Sequence, residues 1–583
     1  MFSKIKKIPL PVLIGLFVFI SIHLLLVSKT FYVDSGNNIH TTIAGYGDTA
    51  LHMTQISKFA FSNITNLSEP IFYGEKLNYP FAINFLSAMF LRMTGDWTFS
   101  FLAPALFFAF VNTLLAFWIY NIFFQNKSKW AFVGLLVFFL GSGMGGWNYI
   151  LDINNYNYSP FGFIEGLTKG MATTVGRWDA VWPEQNIGFG LPLSLGFIHQ
   201  RAFFAGFFGF LVMFLLLLKG IRTEKTKYYI GAGLALGFLP ILHAHSFVAA
   251  LISVFALGIT FLITNKKENL KKIATVFVIG AIVSLPQLYY VFDIGAKTAT
   301  TGFLEPRLGW MINSARGAAQ FPINQQATIF NFSYLKFVWV NFGVILPAFF
   351  IFVLILLSKP KLFGRDNFLI IFFALTASLL FAIVQTIKFQ PWDYDNNKLL
   401  VYFQFFSVPV IILMFKKLYE QKKKLGIAVL SIFLLFALFS GFIDLIPRLA
   451  INKNSLPIIF NSDSQKIAEY IKINASEDEI ILTGTTHLNP VNALAGRSVL
   501  VGYPGWLWTR GLDYKKRLRE VAEFYKNPSV SKDIILEYQP ALILFDPYVV
   551  EDYSADKKVF DDNFEKVFES GDFILYKNST FTK

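Results

Sequence analysis

Long apolar runs alternate with short polar connectors over most of this chain, and the rhythm breaks only near its end. After Met1-Phe-Ser-Lys-Ile-Lys-Lys comes an apolar run of about 20 residues from Ile8, long enough to cross a bilayer. It ends in Lys29-Thr30-Phe31 rather than at a small-residue cleavage site, so it reads as a retained span and not as a signal peptide. Further runs near 101–124, 131–146, 202–218, 229–243, 246–264, 273–292, 335–357, 367–387, 399–415 and 425–445 bring the expected number of spans to eleven. Residues 81–95 are apolar but too short to span, and predict a helix lying at the membrane interface.

The segment beyond 445 has another texture. Ser464–Lys472 has a helical pattern, and Glu479–Thr483, Ala541–Phe545 and Asp572–Tyr576 are short buried-strand runs bounded by turn residues. Helices alternating with such runs predict a small α/β domain over 446–583, following a transmembrane domain over 1–445.

Charge orients this layout. With the N-terminus inside and the spans alternating, the inner connectors are 1–7, 125–130, 219–228, 265–272, 358–366 and 416–424. They carry 21 of the 51 Lys and Arg residues and only four of the 37 acids. Every basic cluster then falls on one side, as the positive-inside rule requires. The net charge of +14 is therefore a topological signal, and nucleic acid is not an expected partner. An odd span count leaves 446–583 outside the cell membrane. A composition of 54% apolar and 15% charged residues excludes an ordinary soluble enzyme and a disordered chain. With no cysteine there is no disulfide, thiol nucleophile or Cys-ligated zinc. No Walker loop, zincin His pair or Gly-x-Ser-x-Gly elbow is present.

Candidate chemistry gathers on the outer face. The outer connectors 29–100 and 147–200 are long, and six of the seven histidines lie on that face or just within it. In the first loop, Gly45-Tyr-Gly-Asp48 leads into an apparent helix from Thr49 to Phe61. Asp48 and His52 are four apart on one face of it and are the candidate catalytic residues. Asp48 has two readings, a helix cap or a catalytic acid. The turn after the ninth span, Lys388 to Lys398, packs Asp393, Asp395 and Lys398 together, with Lys398 suited to meet a phosphate. His199-Gln-Arg201 opens the fourth span, and an Arg fork matches phosphate oxygens. His243-Ala-His245 sits at a tight outer turn as site support or a conceivable metal pair, although residues two apart on a helix face apart. In the tail, Thr485 to Asp513 is dense in polar and aromatic residues, with Trp506 and Trp508 able to stack on a sugar.

This arrangement resembles the C-class (GT-C) multi-spanning glycosyltransferases, the superfamily of protein O-mannosyltransferases, lipid A aminoarabinose transferases and oligosaccharyltransferase subunits. The likeness rests on the inner-start span, the long first outer loop with early Asp48, the Tyr79-Pro80 stretch leading into a helix that closes at Gly95, and many spans followed by an α/β tail. It implies an inverting membrane glycosyltransferase that moves a sugar from a polyprenyl-phosphate donor to an extracytoplasmic glycan, lipid or protein. Asp48 matches the acidic position that orients or deprotonates the acceptor. A second acid belongs in the next outer loop, where Asp152, Asp179 and Glu184 all qualify. A divalent metal is possible, as superfamily members differ on it. Arg201 and Lys398 are expected to hold the donor phosphate, around one outer cavity with Asp48. The rivals are a transporter or flippase, disfavoured by spans nearly free of ionisable residues, and a non-catalytic scaffold for glycan assembly.

Overall fold

The computed structural model describes residues 8–42, 45–144, 146–147, 200–291, 304–306, 308, 332–363, 367–391, 393–529, 531 and 533–577. Its contacts divide the chain into two compact units. A helical unit comprises Met1–Ser28, Leu106–Leu285 and Phe303–Asn452, and a mixed unit comprises Lys29–Ala105, Pro286–Gly302 and Lys453–Lys583.

In chain order the first elements are α1 (Leu10–Ser28), β1 (Phe31–Val33), β2 (Ile39–Thr41), α2 (Tyr46–Phe61), α3 (Ala82–Thr94), α4 (Trp97–Phe123) and α5 (Ser128–Leu140). They are followed by α6 (Arg201–Thr223), α7 (Thr226–Leu242), α8 (Ala244–Ile263), α9 (Leu270–Val291), α10 (Phe332–Phe342), α11 (Ile345–Ser358), α12 (Phe368–Thr386), α13 (Asn397–Gln421) and α14 (Lys423–Ala450). Among the described residues, eight helices are long and apolar enough to cross a membrane: α1, α4, α6, α8, α9, α12, α13 and α14. Helices α3, α5, α7 and α11 are apolar but shorter.

Three of the eleven expected spans differ from the long helices, and two of them have a visible cause. The run 131–146 is helical only to Leu140, where the side chain of Gln404 donates to the carbonyls of Phe138 and Gly141 at 2.9 and 2.8 Å. A buried amide thus satisfies helix-end acceptors that lipid would leave unpaired. The run 335–357 is broken into α10 and α11 at Gly343, whose φ of +52° is left-handed and favours glycine. The third, 229–243, is α7, a 17-residue helix with Pro240 in its last turn.

Phenylalanine builds the core of the helical unit. Phe203, Phe207, Phe210 and Phe214 recur at helical spacing on one face of α6, and neighbours among them stack at 5.5 to 6.3 Å. They meet Tyr402, Phe405 and Phe406 of α13, with Phe210 and Tyr402 at 4.7 Å and Phe214 and Phe406 at 5.3 Å. Such pairs contribute about 0.5–1.5 kcal/mol each beyond their buried area. In lipid this packing, rather than water exclusion, holds helices together. Gly206 allows close approach, since a Cβ there would collide with His243 and Ser246.

The mixed unit continues with β3 (Ile458–Phe460), α15 (Ser462–Asn474), β4 (Ile480–Leu482), α16 (Pro490–Ala493), β5 (Ser498–Val499), α17 (Pro504–Thr509), α18 (Lys515–Lys526), α19 (Asp533–Tyr538), β6 (Leu542–Phe545), α20 (Pro547–Tyr553), α21 (Lys557–Asn563), β7 (Glu565–Ser570) and β8 (Phe573–Lys577). A five-stranded sheet runs β5-β4-β6-β8-β7, with β5, β4 and β6 parallel and β8 antiparallel to both its neighbours. A three-stranded antiparallel sheet, β1-β2-β3, pairs the chain after α1 with the tail. The same union recurs at α2. There Ser57 donates to the Ala493 carbonyl at 2.7 Å, and Gly496, at a φ of +67°, lies so close to the Ser57 carbonyl that a Cβ would clash.

Candidate functional site

In the mixed unit the glycine-rich stretch starts α2 earlier than the sequence pattern predicts. The helix opens at Tyr46 with Gly45 as N-cap and no side-chain cap. Asp48 is therefore the third helical residue and not the cap, a position where a carboxylate is favoured by the helix dipole. It is half-buried. His52, one turn on, is buried, and its Nδ1 accepts a hydrogen bond from the Asn84 amide at 3.0 Å. The same amide donates to Gln55 at 2.6 Å, so α3 fixes the face of α2 that carries both residues. The Tyr79 ring meets His52 edge-on at 6.1 Å and lies 5.0 Å from the Arg510 guanidinium carbon.

The tail reaches the same helix end. His487 stacks on Tyr503 with ring centroids 3.4 Å apart, and meets Trp506 and Tyr46 edge-on at 5.3 and 5.2 Å. Burial lowers the His487 pKa to about 4, so its imidazole is neutral at physiological pH. His487 follows β4, and Gly502-Tyr503 follows β5, at the carboxyl ends of parallel strands, where α/β sheets present their ligand crevices. The sequence places His487 on the outer face and within the polar–aromatic tail segment but gives it no role of its own, because only the parallel pairing of β4 and β5 brings these segments together. A second polar centre lies nearby in the chain: Asp34 accepts from Gly36, Asn38 and His40, and these bonds hold its carboxyl well below the usual range.

In the helical unit, Arg201 opens α6 and is buried. Phe203, two residues on, meets the His243 ring edge-on at 5.7 Å. His243 caps α8 by accepting from the Ser246 backbone at 3.2 Å, and Ser246 in turn bonds Tyr402 through their hydroxyls. The His243 and His245 rings are 5.4 Å apart. A short 3-10 turn, Asp393–Asn396, precedes α13, and in it Asp395 pairs with Lys398 at 2.9 Å. Burial pushes the Asp395 pKa up, but Lys398 and His245 beside it, with hydrogen bonds from Lys398 and Gln390, outweigh burial and hold it below the ordinary value. Thus Asp395, Lys398, His243 and His245 form one electrostatic neighbourhood, and α6 packs against it just beyond Arg201. Asp48 and His52 belong to the mixed unit.

Asp152, Asp179 and Glu184 lie outside the described residues. Among the described residues, no group of three His, Asp or Glu side chains is placed to hold a metal ion.

No family model matches the sequence, and no curated protein matches it. Solved structures do resemble it. The oligosaccharyltransferase of Archaeoglobus fulgidus in complex with Zn and sulfate matches with a TM-score of 0.53 at 12% identity, over 97% of this chain and 73% of that one. The same enzyme tethered to an acceptor peptide containing the NVT sequon gives 0.52 at 12% identity, over 97% and 74%. ArnT from Cupriavidus metallidurans bound to undecaprenyl phosphate is more distant, at 0.46 and 11% identity over 98% of each chain. The chain shares its fold with the multi-spanning oligosaccharyltransferase of Archaeoglobus fulgidus.

Proposed function

We propose that this protein is a membrane glycosyltransferase that moves a sugar from a polyprenyl-phosphate donor to an extracytoplasmic acceptor. The observation that carries the reading is the position of Asp48. It is a half-buried acid in the first turn of a helix met by the aromatic tail segment, in a chain with the oligosaccharyltransferase fold. The solved enzyme of that fold carries an acceptor peptide, and ArnT carries undecaprenyl phosphate; the present proposal takes a lipid-linked donor from the same chemistry. The asymmetry of basic residues supports an N-terminus inside and a reaction outside the membrane. The tail, 446–583, then lies with the acceptor.

In the reaction, an acceptor hydroxyl attacks the anomeric carbon of the donor sugar from the face opposite the phosphate. A new C–O bond forms as the bond from C1 to the phosphate oxygen breaks with its electron pair, and the configuration inverts. The hydroxyl proton passes to the Asp48 carboxylate and later to water. His52, locked by Asn84, holds the helix face that presents Asp48. Lys398 and Arg201 serve the departing phosphate, with Asp395 orienting Lys398. The second acid is one of Asp152, Asp179 and Glu184.

The test is transfer of radiolabelled sugar from a polyprenyl-phosphate donor by the purified protein in lipid nanodiscs, scanned across mixed extracytoplasmic glycans, lipids and peptides. Transfer by the native chain that disappears in Asp48→Asn supports the reading. Equal transfer by both removes Asp48 from the chemistry.

A further inference from the structure

We propose that His487 is a further residue of the acceptor site, and that the acceptor it receives is a saccharide. This rests on reading Asp48 as the acceptor-activating base. Four observations lead there. First, the imidazole is pressed against the residue next to Asp48: a Cβ at Gly47 would lie 3.1 Å from His487 Cδ2 and 3.5 Å from Nε2. Any side chain at 47 would crowd the ring. Second, three rings surround His487, namely Tyr503, Trp506 and Tyr46, and fix its orientation. Third, among the described residues no hydrogen bond reaches either ring nitrogen, and the ring is half-buried, open on one side. A polar group held this firmly, with its hydrogen bonds unmade, is prepared for a ligand. Fourth, Tyr46 is 43% exposed, which leaves part of its ring open beside the imidazole.

The chemistry selects the ligand. A neutral imidazole offers one N–H donor and one acceptor nitrogen. A sugar hydroxyl both donates and accepts, and so matches either. An exposed aromatic plane suits the C–H face of a pyranose, since it is apolar and rigid. The three rings that touch His487 carry no formal charge and so favour a neutral ligand over a charged peptide side chain or terminus. The carboxyl ends of β4 and β5 thus supply recognition, and the first turn of α2 supplies the base.

Saturation-transfer NMR on the full chain in nanodiscs tests this with methyl glycosides of glucose, galactose, mannose and N-acetylglucosamine as probes. At least one should bind to the native protein. His487→Phe keeps the ring packing but loses both nitrogens, and should weaken that binding about tenfold or more with an unchanged Tm. His487→Gln restores a donor and an acceptor and should recover part of the loss. Asp48→Asn should still bind the glycoside while losing transfer, which separates a failure at His487 from a failure of the proposed reaction. Binding by His487→Phe equal to the native protein, or no glycoside bound by the native protein, overturns the proposal. So does preferential binding of a hydroxyl-bearing peptide that is lost in His487→Phe.

Discussion

Glu69 and Arg510 form an ion pair of 2.7 Å whose side chains are only 1% and 5% exposed. It ties the first loop to the tail just past its Gly-Tyr-Pro-Gly-Trp stretch. The same Glu69 oxygen accepts the backbone N–H of Asn78 at 3.3 Å, and Arg510 lies against Tyr79, the residue that meets His52. The pair thus braces the approach to α3 and, through Tyr79, the helix face bearing Asp48. Glu69 Oε1 and Arg510 Nη2 are buried without hydrogen-bond partners among the described residues, so the pair is only half satisfied. Removing one partner of a buried pair strands the other charge, at about 3–5 kcal/mol. Glu69→Ala and Arg510→Ala should each lower stability by that order in denaturant titration. Glu69→Leu with Arg510→Met should recover most of it, because both charges then leave together. A double variant as unstable as the singles would show that the pair's geometry, not its stranded charge, matters.

Much of this fold is legible in the sequence because its signals are local. Apolar run length marks the long helices, and the strand-like runs 479–483, 541–545 and 572–576 fall on β4, β6 and β8. Gly95 ends α3 in the left-handed conformation that its position suggests. What escaped is non-local. Gln404 ends α5 from 263 residues away, and His40 bonds the Leu456 carbonyl across 416. His487 reaches Gly47 only because the tail folds against α2. None of these partners leaves a periodic trace. The sequence pattern offers Asp48 as a helix cap, but it stands third in α2, because glycines at 45 and 47 hide the true start of the helix.

Two tail groups titrate in opposite senses between about pH 4 and 7: burial lowers the His487 pKa, which favours folding as pH rises, and acts the other way on Asp546. Asp546 caps α20 by accepting from the Val549 N–H at 3.0 Å, yet burial pushes its pKa up to about 7. The backbone N–H groups of Val549 and Tyr548 offset only part of that cost. A carboxyl whose folded pKa lies above its unfolded value keeps its proton longer in the folded state. Its contribution is full below about pH 4 and is lost as pH rises toward 7. Asp546→Asn keeps a capping oxygen and cannot ionise. The difference in Tm between Asp546→Asn and the native chain should grow from pH 4 to 7 in favour of the variant and stay at pH 8, by the equivalent of a few kcal/mol at most. An identical pH–Tm curve in both proteins would exclude Asp546 as the titrating group.

The Asp395–Lys398 pair separates donor binding from folding. Lys398→Ala alone leaves the half-buried Asp395 without its cation, so lost donor binding would be confounded with lost stability. Lys398→Met with Asp395→Asn removes both charges and should restore Tm to near the native value. It should still bind a polyprenyl phosphate more weakly, by about tenfold, as expected for one charge-assisted contact. Arg201→Met should weaken the same binding. Native affinity in the double variant, measured by scintillation proximity with labelled lipid, would remove Lys398 from the phosphate site.

The last prediction concerns Asp48 itself. Because Asp48 stands third in α2 and Gly45 is the N-cap, Asp48→Asn leaves the cap residue untouched. The loss of a charge near the helix N-terminus is worth about 0.3–1 kcal/mol, so Tm should barely move. Asn has nearly the same size and cannot take a proton, so the loss isolates base function from shape. A general base contributes about 10²–10⁴-fold, so transfer should fall by that factor while polyprenyl-phosphate binding stays native. Asp48→Glu keeps the carboxylate but moves it by a methylene, and should retain partial activity with a lowered kcat, because proton transfer depends on reach. Residual activity in Asp48→Asn should also lose the acidic limb of the pH profile that the native carboxylate provides. If that limb persists unchanged, the proton goes elsewhere, and Asp152, Asp179 and Glu184 of the second loop become the acids to replace next.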